Sequence, residues 1–166
     1  MASPSSVPQD VPREDIFISI HPEHVQSIAA RTKNHEYRNY LLPSTISRLW
    51  VYTTAPVSSV EFIAEISTGK TPGQFPEDGG IGNSDFNRGT DLLGYGYEIL
   101  SLWRLKQPIT LSQLQAKKYL KGPPQKYCYV KRKVRDDYLT KSRSWFLVRR
   151  KLIPNHKQKS RRYTAN

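Results

Sequence analysis

The sequence predicts an α+β fold: a small, partly closed β-barrel of about five or six mostly antiparallel strands, with two or three short helices. Three observations lead there. Short runs with strand periodicity recur along the chain, and several carry tyrosines. Long helical patterns are few. Glycine- and proline-rich breaks separate the runs, as in small barrels. A length of 166 residues suits one domain with tails. The expected division is a disordered tail over 1–15, a domain over 16–135, an extension over 136–153 and a disordered basic tail over 154–166.

The first element is a strand. Ile16, Ile18 and Ile20 alternate with Phe17 and Ser19, the period of a half-buried strand. Pro22 then suits the first turn of a helix. Val25, Ile28 and Ala29 give that helix one short apolar face, and it should stop near Arg31-Thr32. His35 to Asn39 reads as extended chain, which places Glu36 and Arg38 on one face. Lys33 falls in the turn before it, and only such a turn lets it share that face.

Arg48 to Thr54 is a second strand, with Leu49, Val51 and Thr53 opposing Trp50, Tyr52 and Thr54. Val60 to Ile66 is a third. Gly69 to Gly82 reads as an irregular loop. A short helix is expected from Ser84 to about Leu93, then a strand from Tyr95 to Leu105, with Tyr95, Tyr97, Ile99, Trp103 and Leu105 in alternation. Thr110 and Gln113 have the spacing of a capping box, so a helix should begin there with Leu111 and Leu114 turned inward. Gly122-Pro123-Pro124 breaks the chain. Lys126 to Lys133 reads as a last strand through Tyr127, Tyr129 and Lys131. Tyr138 to Ile153 fits helix or strand.

Composition excludes some functions and favours others. The first fifteen residues hold three prolines and hardly a large apolar group, so they cannot offset chain entropy and are not a signal peptide. No stretch approaches the roughly 20 apolar residues of a membrane span. Cys128 stands alone, which excludes an internal disulfide and a cysteine-based zinc site and fits a reducing, intracellular compartment. Residues 1–100 hold 7 Lys/Arg against 12 Asp/Glu, a net −5; residues 101–166 hold 19 against 2, a net +17. A half so cationic attracts a polyanion, and binding there releases counterions.

Lys33, Glu36 and Arg38 are the densest polar cluster. Arg supplies a planar fork, Lys a point charge, and Glu an acceptor that can also take a proton. An exposed strand with a weak ion pair would explain the spacing too. A cleft joining the three to Asn34, Thr53, Gln125 and Tyr127 would offer what an unstacked base requires. Lys33 and Glu36 are also the candidates for acid–base chemistry. His21 and His24 lack a third zinc ligand, so capping or exposure is expected of them. No metal or other cofactor is expected.

The segments ISIHPEHVQSIAARTKNHEYR, LWVYTTAPVSSVEFIAEI, GYGYEILSLWRLKQPITLSQL and KGPPQKYCYV resemble, in order, those of ASCH domains of the PUA-like superfamily. The resemblance covers about residues 16–131. It implies a small β-barrel with a cleft beside the first helix, inferred to bind RNA. The family signature G-x-K-x-x-E-x-R places its Lys on Lys33, its Glu on Glu36 and its Arg on Arg38. Its Gly falls on Arg31, a departure that bears on the turn after the helix. One branch of the family resembles amidohydrolases of acylated cytidine-type nucleosides, with a threonine where Glu36 stands here, and a carboxylate does not replace that hydroxyl nucleophile. Another branch is ribonucleolytic.

The reading that follows is an RNA-binding module, with DNA as the alternative partner and no membrane. Lys33, Asn34, Glu36, Arg38, Thr53, Gln125 and Tyr127 would recognise a base or nucleotide. Lys131, Arg132, Lys133, Arg149, Arg150 and Lys151 would hold the backbone. The alternatives are a ribonuclease or nucleoside deacylase, and an adaptor whose segment from Lys157 to Arg162 directs nuclear import, so the location is cytoplasmic or nuclear.

Overall fold

The alternation in the first strand is real, but both of its faces are covered. In the computed structural model, which describes residues 14–89, 94–139 and 145–148, β1 (Asp15–Ile20) turns Ile16, Ile18 and Ile20 into one hydrophobic core and Phe17 into another. β3 (Arg48–Thr53) divides likewise: Leu49 and Val51 face the first core, Trp50 and Tyr52 the second. α1 (Pro22–Ala29) covers the first side with Val25 and Ile28. α3 (Leu111–Ala116) and α4 (Arg132–Leu139) cover the other with Leu114 and Val134. The half-buried strand of the sequence reading is therefore a central strand buried on both faces.

One curled sheet carries all this, in the order β2-β5-β4-β3-β1-β6, with β7 (Trp145–Leu147) pairing β5. β2 is His35–Arg38, β4 Ser59–Ile66, β5 Tyr95–Thr110 and β6 Cys128–Tyr129. β1 and β3 run parallel, which the α1 crossover permits; the other pairs are antiparallel. The architecture is the α+β small barrel that the sequence predicts, with seven strands and four helices among the described residues.

Three local features differ from the sequence reading. β5 carries a bulge: Glu65 pairs Ser101 while Ile66 pairs Ile99, which leaves Leu100 over and half exposed. The extra residue flips the alternation, so Ile99 and Leu102 share the first core while Leu105 joins the second. The expected last strand shrinks to Cys128–Tyr129, because the chain turns into α4 at Arg132. Val134 there is buried and Tyr138, four residues on, packs on the same core; the surrounding charges hide that helical face in the sequence. Asp15, assigned to the leading tail, opens β1 with its side chain fully buried. It accepts hydrogen bonds from Arg48 Nε (2.9 Å) and Trp50 Nε1 (2.8 Å).

The capping box forms as the spacing predicts. Thr110 Oγ1 accepts from the Gln113 amide at 3.2 Å, and Gln113 Oε1 accepts from the Thr110 amide at 3.0 Å. The expected helix from Ser84 becomes α2 (Asn83–Asn87); residues 90–93, where it would have ended, lie outside the described residues. The 149–166 basic stretch and most of the leading tail lie outside them as well.

Candidate nucleic-acid interface

The turn between α1 and β2 brings Lys33 to the face of Glu36 and Arg38. Arg31 makes this turn in the left-handed region, at φ 61°. That is the conformation a glycine adopts without steric cost, and an L-residue pays roughly 1–2 kcal/mol for it. The turn thus keeps its shape although arginine fills it. The backbone N–H groups of Thr32 and Lys33 both close onto Ser27 O.

Lys33, Glu36 and Arg38 converge on one cavity of about 530 Å³. It opens where the sheet does not close, between the end of β1 and the edge strand β2. Arg38 spans this seam: its Nη2 donates to Ser19 O at 2.9 Å and lies 3.1 Å from Glu36 Oε1. Ser19 Oγ donates to Pro124 O at 2.6 Å, which holds the Gly-Pro-Pro segment so that Gln125 lines the cavity. Glu36 is 7% exposed and Arg38 22%, so their attraction is weakly screened. The Arg38 Nε is buried with no hydrogen-bond partner. Lys33 is buried, and its ammonium lies 4.0 Å from the centre of the Tyr37 ring. Burial lowers the Lys33 pKa below the ordinary lysine value; Glu36 opposes the shift and Arg38 adds to it.

The loop after β4 forms the other wall, through Ile81 and Gly82. It is held by stacked rings. His35 lies 4.0 Å from Phe75, Phe75 4.4 Å from Phe86, and Phe86 5.2 Å from Tyr37. Beneath them Asn34 donates to Asp78 (2.7 Å) and accepts from Asn83 (2.9 Å), while His35 Nδ1 donates to the same Asn34 oxygen (2.7 Å). Asn34, expected in the cleft, therefore anchors the loop behind it.

His35 is fully buried, and its pKa is pushed down to about 4 by desolvation, with Lys70 adding to the effect. The native state then holds a neutral ring that the unfolded chain protonates below its ordinary value near 6.5. The resulting stability is complete above pH 6.5 and is lost as pH falls towards 4, about 3 kcal/mol in all. Denaturant midpoints at pH 7.5 and pH 4 should differ less in His35→Gln than in the parent.

The remaining expected residues lie elsewhere. Thr53 faces inward, 1% exposed, with its hydroxyl unpartnered; Thr54, one residue on, lines the cavity. Tyr127 packs against Tyr40 and Tyr129, with the Lys126 ammonium 5.8 Å from its ring. Lys131 and Lys133 are exposed where the chain enters α4, as is Arg132. Arg149, Arg150 and Lys151 lie outside the described residues. His21 and His24 are exposed, as expected of them, and they also line the cavity from the start of α1, which the sequence reading did not foresee. Their i, i+3 spacing directly after a strand was the available signal. Among the described residues no group of three His, Cys, Asp or Glu is placed to hold a metal ion. No helix there is long and apolar enough to cross a membrane.

The fold matches crystal structures of the ASCH protein of Zymomonas mobilis. The unaltered protein aligns over 76% of this chain and 94% of that chain, with a TM-score of 0.58 and 22% identity. A point variant aligns over 77% and 96%, with the same score and identity. A curated relative from that organism, named an ASCH domain-containing ribonuclease, is 40% identical over 53 residues. The match takes in 31% of this chain and 36% of the relative, so the chain spans about a third of its length. No protein-family model matches the chain.

Proposed function

We propose that this chain, whose fold is that of an ASCH domain, binds RNA. The cavity takes an unstacked base or nucleotide, and the basic C-terminal half holds the phosphate backbone. One observation carries the reading: a fork, an ammonium and a carboxylate from one short stretch meet an amide from a distant one in a single concave space. Glu36 and Gln125 suit a base edge, the Tyr37 ring adds a π-face, and Lys33 and Arg38 suit phosphate. The similarity to a protein named as a ribonuclease supports RNA as the partner class.

The test is the salt dependence of binding to a single-stranded RNA oligonucleotide, with the matching DNA alongside. Log affinity should fall steeply with log salt. Deleting residues 154–166 removes four Lys/Arg and should lower the slope by about 2–3, at roughly 0.7 for each phosphate no longer neutralised. Lys33→Ala should weaken binding about tenfold, or about 1.4 kcal/mol. Unchanged affinity and slope after the deletion would remove the tail from the reading, and unchanged affinity in Lys33→Ala would remove the cavity.

A second reading is cleavage of the bound RNA. A lysine with a lowered pKa can exchange protons nearer neutrality than an ordinary one, and turnover of pure protein on RNA separates the two readings.

A further inference from the structure

The cavity has a feature that recognition does not use. His21 and His24 face it from one rim, with ring centres 6.5 Å apart. His21 is the residue at which α1 begins, yet its side chain makes no capping bond. Its Nδ1 instead faces the Thr54 hydroxyl at 3.4 Å. His24 Nε2 faces the Glu23 carboxylate at 3.7 Å. The positive end of α1 opens at the same place. Lys33 and Arg38 line the floor.

We propose that His21 and His24 form a general acid–base pair that cleaves RNA held in the cavity by internal transesterification. The inference rests on RNA being the ligand. One imidazole takes the proton of a ribose 2′-hydroxyl, and the 2′-oxygen forms a bond to the adjacent phosphorus. The bond from phosphorus to the 5′-oxygen of the next nucleotide breaks, and the other ring, entering as imidazolium, gives that oxygen its proton. No water, metal or oxidant enters the balance. The products are a 2′,3′-cyclic phosphate and a 5′-hydroxyl. Imidazole suits both roles because its ring nitrogens can either accept or donate a proton. Lys33 and Arg38 stabilise the charge that gathers on the phosphoryl oxygens. Glu23, Glu36, Lys33 and Arg38 are the charged groups facing the pair, so the rate should respond to their substitution as well.

The full chain is incubated in EDTA with a DNA oligonucleotide bearing a single ribonucleotide, and with its all-deoxy counterpart. Cleavage is expected only after the ribonucleotide, with a 2′,3′-cyclic phosphate end. His21→Ala and His24→Ala, prepared identically, should each slow cleavage of bound RNA at saturating protein by about 10²–10⁴-fold, the usual worth of such a group, a far larger change than in the dissociation constant for RNA. RNA bound but uncut would overturn the acid–base pair and leave the binding function standing. So would 5′-phosphate products, or variants as fast as the parent. Absence of RNA binding would overturn both.

Discussion

Gly96→Ala is expected to destabilise the protein by about 3 kcal/mol. A Cβ built at this position would lie 1.8 Å from Phe75 Cζ, a separation that no relaxation of a few tenths of an ångström relieves. Phe75 is held between His35 and Phe86, so it cannot swing aside without leaving the stack. Overfilling a packed site typically costs 1–3 kcal/mol, and expelling a buried phenylalanine adds to that. Phe75 also stacks on Tyr37, which lines the cavity, so on the proposed function RNA affinity should fall with stability. Urea midpoints of Gly96→Ala, Phe75→Ala and the double variant check the cause. If the clash is responsible, alanine at both positions is no worse than Phe75→Ala alone, giving a large non-additive term. Additive losses would place the damage elsewhere.

The second large effect belongs to Glu36. Glu36→Ala leaves Lys33 and Arg38 in a buried site without their carboxylate. Removing one member of a buried pair costs about 3–5 kcal/mol, because the remaining charge loses its compensation. Glu36→Gln keeps an acceptor for Arg38 and should cost less. The exposed pair Arg132–Asp136, one turn apart on α4 at 3.8 Å, is the contrast: Asp136→Ala should cost about 0.5 kcal/mol or less. Chemical denaturation distinguishes the three. In binding, loss of the carboxylate should flatten the preference among RNA homopolymers more than it lowers affinity, since cations alone attract every phosphate equally.

Much of this site could be read from the sequence for a simple reason. Glu36 and Arg38 are two residues apart on a strand, and period-two geometry by itself makes them neighbours. The capping box at Thr110 is equally local. What escaped prediction depends on partners distant in the chain. Thr53 and Thr54 differ only in which side of β3's end they face, and that is set by a core built from β1 and β4. Phe75 and Phe86 lie in a stretch that reads as loop, because glycine and proline surround them. They are held by His35 and Tyr37, about 40–50 residues earlier. His21 and His24 are helix-end surface residues, as they read, but nothing local shows that β2 faces them across an open seam. β5 misled for another reason: the extra residue at Leu100 shifts a sound alternation by one position, and no residue type marks the place.

That extra residue has a consequence for how the molecule comes apart. Because β5 reverses its facing in mid-strand, a single piece of chain belongs to both hydrophobic cores and also walls β2, which carries Glu36 and Arg38. Neither core can melt while β5 stays in place, and the cavity cannot outlast either of them. The two sides of the sheet therefore form one cooperative unit, and the cavity shares its fate.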